Sequence, residues 1–312
     1  DSQEKIRNFL IDKYIDWEIE YVLIASSNDT IPMRMCYPNK DDHAETVITD
    51  YYYADLTGNW DSDNDGYYGE RGDDNVDFNP EVWVGRIPFD NEIDVNEICQ
   101  NIVSFEQSYG GWKKKAMLLG AISNYKYEDG NYDLDKTDNA EVMEEIKNDI
   151  LIGNSFSSTT MYEKEGLNCS TFLCDFPLNH NNVLSEWADG YGLVLSKAHS
   201  NAYEMSRKIW LSDDNSNGLA DEDEISWTGF YDCEDAGYMN HPSLIYENGC
   251  NIYDPDFWTD NLVESGLKQG ASGIIATSGY GWYSVGWDDE SYGGTGSMQY
   301  FFVDNYIENS QS

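Results

Sequence analysis

Basic residues are scarce in this chain: 18 Lys and Arg stand against 59 Asp and Glu, a formal net charge of −41 over 312 residues. Nucleic acid and anionic membrane surfaces bind through clustered Lys and Arg, so partners of that kind are disfavoured. The basic trio Lys113-Lys114-Lys115 reads as a solvated turn. No run of 18 apolar residues is present, and no membrane span is expected. There is no signal-peptide pattern either; the chain opens at Asp1 as if in mid-protein, as a processed or excised fragment would. The absence of CxxC and of histidine clusters disfavours thiolate metal sites. No internal repeat and no low-complexity tail appears.

What is present suits a globular protein. Hydrophobic residues make up 40%, enough for a sizeable core in one large or two medium domains. The acidic surplus favours solubility and retention of cations, and suits a salty medium. Six cysteines, Cys36, Cys99, Cys169, Cys174, Cys233 and Cys250, leave connectivity open. Cys169 and Cys174 are close enough to pair, or all six are reduced.

Taken in order, Gln3 to Trp17 has helical spacing at Ile6, Leu10, Tyr14 and Trp17. Tyr21–Ala25 reads as a buried strand, Val47 to Tyr53 as another, and Val82 to Ile87 as a third ended by Pro88. Asp94 with Glu97 suggests a capping box for a helix through Gln107, with Val95, Ile98, Ile102 and Phe105 on one face. Gly110-Gly111 marks an expected boundary between a subdomain of residues 1–111 and one of residues 112–312. The second half restarts with strand Ala116–Gly120. A polar loop from Ser123 to Lys136 follows, then a helix from Asp138 with Val142, Met143, Ile146 and Ile150 inward. A weak strand near Thr159 to Tyr162 comes next. A helix from about Asp256 closed by Gly270, a strand Gly273–Thr277, an aromatic loop 279–296 and a helix from about Met298 to Ile307 end the chain. Alternating strands and helices predict an α/β fold whose sheet is mainly parallel, with helices on both faces.

Two apolar runs carry the chemistry. Gly192-Leu193-Val194-Leu195-Ser196 delivers His199, and Pro242-Ser243-Leu244-Ile245-Tyr246 delivers Cys250. Residues just past the carboxyl ends of parallel strands line the reactive crevice of such sheets. An imidazole there can take the thiol proton, and the thiolate is a strong nucleophile. The plainer reading is a structural His and a buried Cys. No third residue to orient His199 is evident.

An apolar strand ending in His, then about fifty residues, then an apolar strand ending in Cys is the layout of caspase-like cysteine peptidases. The caspase signature Gln-Ala-Cys is absent. Several segments instead resemble, in order, the gingipain-like cysteine peptidases, peptidase family C25 of clan CD. They are IRNFLIDKY, EYVLIAS, YYYADLTGNWDSDNDGYYGE, PEVWVGRIPF, the His and Cys runs, and GIIATSGYGW. The resemblance implies a caspase-like three-layer fold and peptide-bond hydrolysis by Cys250 and His199. It also implies an oxyanion held by the backbone N–H groups of Cys250 and of the residue after the His. That residue is usually Gly in the family and is Ser200 here; the donor survives if the backbone angle suits a side chain. The family's selecting acid for a basic P1 residue falls near Asp138, with Asp135 second, and its pocket tryptophan falls at Trp282. Asp138 reads equally well as a helix N-cap, and Trp282 as packing beside Tyr283 and Trp287.

Two acidic loops suggest Ca²⁺. Asp213-x-Asn215-x-Asn217-Gly218-x5-Glu224 fits the EF-hand loop, with a carbonyl from Leu219, and Asp221 at the ninth position. Its flanks do not read as paired helices, so an isolated loop is expected. Asp61-x-Asp63-x-Asp65-Gly66-Tyr67 with Glu70 is less regular, its twelfth position being Gly72; Asp73 or Asp74 are other candidates to complete it. In a chain this acidic some such clusters are only solvated loops. Calcium-type loops favour an extracellular setting. The reading is therefore a secreted, calcium-stabilised cysteine endopeptidase acting on protein or peptide substrates, with a propeptide as a further expected partner. The alternative is a non-catalytic calcium-binding surface or adhesion module on the same fold. An acid-pair glycosidase is weaker, because so many carboxylates make candidate pairs unavoidable.

Overall fold

The computed structural model describes residues 1–309 apart from 40, 42, 44 and 236–238. The chain forms two compact units, Asp1–Glu97 and Ile98–Ser312.

The first unit opens with α1 (Ser2–Trp17), capped by the Asp1 carboxylate, which accepts from Glu4 N. The helix forms as its spacing predicts, but its buried stripe is narrower. Leu10 is buried, whereas Tyr14 and Trp17 are exposed. Strands β1 (Tyr21–Ala25), β2 (Arg34–Cys36), β3 (Val47–Thr49) and β4 (Trp83–Ile87) follow. β1 and β4 pair in parallel from Tyr21↔Trp83 to Ala25↔Ile87. β1 is not the fully buried strand its apolar run suggested: Ile24 faces the core, while Tyr21 and Leu23 are exposed. The strand has one covered face, and its side chains alternate across it. The strand expected over Val47–Tyr53 ends at Thr49, because Tyr51–Tyr53 turn into a 3₁₀ helix. That turn carries Tyr52 and Tyr53 into a core with Leu10, Ile24, Leu56, Trp60 and Val82. α2 (Glu92–Gln107) is capped by Asn91, whose side chain accepts from Asp94 N at 2.9 Å, and not by Asp94 itself.

The second unit holds β5 (Lys115–Gly120), β6 (Ile122–Asn124), β7 (Thr137–Asp138), α3 (Ala140–Glu145), β8 (Ser157–Tyr162), β9 (Phe176–Pro177) and α4 (His180–Trp187). These lead to β10 (Leu193–Lys197), β11 (His199–Ser200), β12 (Glu204–Trp210), β13 (Ile225–Asp232), β14 (Ser243–Asn248), α5 (Leu262–Lys268), β15 (Ala271–Ile275) and α6 (Gly294–Asn309). Its sheet runs β15-β14-β10-β5-β8-β9, every neighbour parallel. Successive strands leave β5 first toward β8 and then, on the other side, toward β10. The order therefore reverses between β5 and β10, and a crevice opens there at the carboxyl ends.

One face of the sheet presents Ala116, Leu118, Leu193 and Leu195 to α3 and α6, with Val142, Met143, Ile146, Ile150, Val303 and Ile307 packed against them. Each such large side chain contributes roughly 1.5–3 kcal/mol by leaving water. On the other face, Trp187 of α4, Tyr231 of β13 and Leu262 of α5 surround Ile245. The three layers expected are thus present. Differences from the expected elements have local causes. α5 starts at Leu262 and not near Asp256, because Asn261 and Glu264 form a reciprocal capping box there. β15 is shifted to Ala271–Ile275, and α6 begins at Gly294. α4 and the β12–β13 hairpin were not anticipated; the hairpin and β11 form a separate antiparallel sheet.

Candidate active site

β10 and β14 are neighbours in register, with Lys197 opposite Asn248. The chain therefore leaves the two strands side by side, and His199 and Cys250 emerge into one small pocket. Ser123, Lys197, Ala198, Asn248, Gly249, Gly281 and Tyr283 complete its wall. The Cys loop is held by close contacts: Ser200 Oγ donates to Cys250 O at 2.8 Å, and Thr277 Oγ1 to Gly249 O at 2.7 Å. Two glycines are required by approach distance. A Cβ on Gly249 would lie 2.1 Å from Ser200 Oγ, and one on Gly281 would lie 2.1 Å from Gly249 O.

His199 makes a 2.7 Å hydrogen bond from Nε2 to the carbonyl oxygen of Ser123. A carbonyl only accepts, so the proton sits on Nε2 and a neutral ring leaves Nδ1 as an acceptor. Ser123 thus orients His199 through its main chain. A carbonyl carries no side-chain signature, which is why no orienting residue was evident from the sequence. Trp227 packs edge-on against the ring, with centroids 4.8 Å apart. Burial pushes the His199 pKa down, the Ser123 bond opposes this, and the Lys208 ammonium adds to it. Ser200 does not have a positive φ, so its side chain introduces no backbone strain.

Asp138, Asp135 and Trp282 are not among the residues lining this pocket, although Trp282 stands between two that are, Gly281 and Tyr283. Asp138 is nearly buried; it precedes the α3 N-cap, which is Asn139, accepts from Ala140 N at 3.2 Å and sits 3.7 Å from Lys136 Nζ. Asp135 is exposed, 3.3 Å from Lys126. Trp282 is exposed in the loop after β15, and Gly286 N of that loop donates to Thr137 Oγ1 at 2.8 Å. Trp282 meets Tyr280 edge-on, with centroids 6.2 Å apart, and Trp287 is buried and donates from Nε1 to Ser297 Oγ.

In the first acidic loop Asp61, Asp63 and Asp65 bring one carboxylate oxygen each within 4.8 Å of the others. Asp65 also accepts from Tyr67 N. Glu70 is outside that cluster, buried and bonded to His43 Nε2 at 2.7 Å. The second loop is the turn between β12 and β13. Asp213 accepts from Asn217 N and Gly218 N, Asn217 Oδ1 from Leu219 N, and Asp221 from the Asn215 and Asn217 amides. Glu224 is buried, accepting from Asp214 N at 2.7 Å and Trp210 Nε1 at 3.2 Å. All six cysteines are unpaired, Cys169 and Cys174 included.

A three-layer sheet with a thiol and an imidazole at adjoining strand ends defines a protein of the caspase-like α/β class. Over residues 1–311 the chain matches Peptidase family C25, and it belongs to that family. Two solved structures are similar to it. One is the Arg-specific cysteine proteinase gingipain R (RgpB), with a TM-score of 0.60 and 14% identity over 90% of this chain and 54% of that one. The other is the complex of Porphyromonas gingivalis RgpB pro- and mature domains, with a TM-score of 0.61 and 13% identity over 90% and 55%. A third, described only as a protease, has a TM-score of 0.59 and 13% identity over 93% and 52%. The chain therefore spans about half the length of these structures. Among curated proteins no sequence match is found.

Proposed function

We propose that the protein is a secreted cysteine endopeptidase whose nucleophile is Cys250. The observation that carries this reading is the single pocket lined by both Cys250 and His199 at the point where the strand order reverses. Cys250 attacks the scissile carbonyl. His199 accepts the thiol proton at Nδ1, the nitrogen left free by the Ser123 bond, and returns it to the leaving amine. The N–H groups of Cys250 and Ser200 hold the oxyanion. Substrates are proteins or peptides. A propeptide covers the cleft before activation, a role supported by the pro- and mature-domain complex of RgpB.

Arg or Lys is the preferred P1 residue. Asp138, low in exposure and bound only loosely to Lys136, is the acid a P1 cation would meet, with the exposed Trp282 as a wall and Asp135 as the second acid. Ca²⁺ holds both acidic loops. Their donors are hard oxygens suited to it: Asp61, Asp63 and Asp65, with the Tyr67 carbonyl, in one, and Asp213, Asn215, Asn217, Leu219, Asp221 and Glu224 in the other, while Glu70, expected as a ligand of the first, is engaged by His43 instead. When bound, the cation supplies charge neutralisation to a surface at −41 and no step of hydrolysis. Among the described residues no helix is long and apolar enough to cross a membrane. A thiol-reactive peptide inhibitor tests the reading: it should label Cys250 alone and stop peptide cleavage. Failure to label, with the fold intact, would instead favour a non-catalytic module.

A further inference from the structure

Lys197 is the anomaly of the pocket. It ends β10, a strand of otherwise apolar residues and one serine, and is 3% exposed. Other buried bases have carboxylates: Arg207 pairs with Glu163 and Glu165, and Lys208 with Glu128. Lys197 has none among the described residues. Its Nζ donates to Thr295 Oγ1 at 3.0 Å and approaches Asn248 Oδ1 at 3.4 Å. Both are neutral groups, and both fix where the ammonium points. Burying a cation without an opposite charge is unfavourable, so such a residue either gives up its proton or keeps it against a counter-charge that forms nearby. Two acids line the pocket with it, the Cys250 thiol and the Tyr283 phenol; burial pushes the phenol up, which leaves the Cys250 sulfur as the group to become that anion.

We propose that Lys197 is a positioning residue for the Cys250 thiolate: its ammonium, fixed at the pocket wall by Thr295 and Asn248, favours the ionised sulfur before substrate arrives. The proposal rests on Cys250 being the nucleophile. The sulfur gives its proton to His199 Nδ1, and Lys197 keeps all three of its own; no atom of Lys197 is transferred. The charged and titratable groups facing the pocket are His199, Cys250 and Tyr283, with Lys208 and Glu128 behind His199. Burial pushes Lys197 down to about 7, and Cys250 is the charge that opposes this shift. On His199, by contrast, Lys197 is the weakest of several influences.

The test is the pH dependence of Cys250 alkylation by iodoacetamide, resolved from the other five cysteines by peptide mass spectrometry. It reads the sulfur without turnover, so it stays informative whether or not a given peptide is cleaved. Peptide hydrolysis by Cys250→Ala separately decides the nucleophile. In His199→Ala the alkylation midpoint should remain below the ordinary thiol value of about 8.5. Adding Lys197→Met, which keeps the volume and removes the charge, should raise the midpoint by about one to three pH units, and Lys197→Arg should keep it low. A midpoint at or above about 8.5 in His199→Ala, or no movement on adding Lys197→Met, overturns the proposal. If the Met variant does not fold, the midpoint in His199→Ala decides alone.

Discussion

Glu247, three residues before Cys250, offers a stability prediction that can be worked through. It is 3% exposed on β14 and accepts a 2.7 Å hydrogen bond from Tyr231 OH, while its second carboxyl oxygen has no partner among the described residues. Burial raises its pKa from 4.5 to about 7, with the Tyr231 bond opposing. Below about pH 4.5 both folded and unfolded chains carry the proton, and Glu247 makes stability no function of pH. Between 4.5 and 7 the folded chain binds the proton more tightly, so stability falls as pH rises, and above 7 the loss is complete. At about 1.4 kcal/mol per pH unit, that loss is roughly 3 kcal/mol. Glu247→Gln keeps an acceptor for Tyr231 and cannot ionise. It should therefore be more stable than the parent chain by roughly 3 kcal/mol at pH 8 and about equal to it at pH 4. Urea unfolding followed by tryptophan fluorescence at the two pH values measures this as a difference of differences, in which the other acids cancel. A gap of the same size at both pH values, or a Gln variant less stable at pH 8, would refute the reasoning.

The remaining expectations concern the site and its loops. Cys250→Ala and His199→Ala should each lower peptide hydrolysis by several orders of magnitude without adding, since the two act as a unit; full turnover in either variant would show the dyad to be misassigned. Chelation should lower the melting temperature, reflecting a loss of about 2.7 kcal/mol if the cation stood at a hundredfold excess over its dissociation constant, and Glu224→Gln should blunt the effect. Identical melting curves with and without chelator would count against bound Ca²⁺. Asp138→Asn should weaken cleavage after Arg and leave uncharged P1 residues alone. A preference that fades in high salt would implicate the acidic surface instead, since the Debye length is about 8 Å at physiological salt.

The sequence by itself determined the parts that depend on local pattern. Apolar runs too short for helices and bounded by Gly or Pro mark β10 and β14, and the residues after them mark His199 and Cys250, because a parallel strand delivers its next residues to one rim. The EF-hand spacing of 213–224 is likewise a matter of consecutive residues. The family followed from segments in order along the whole chain. What only the tertiary structure decided are relations between distant segments. The Ser123 carbonyl meets His199 across 76 positions, and no side chain announces a carbonyl. Asn91 caps α2 in place of Asp94 because cap choice depends on where the backbone first turns helical. Tyr21 and Leu23 are exposed because their strand has one covered face, which an apolar run cannot reveal. Glu70 leaves the Asp61 cluster for His43, a partner set by packing. Lys197 stands just past the apolar run read from the sequence and is not singled out by it; its meaning depends on Cys250 reaching the same pocket, and pairing of β10 with β14 brings that about.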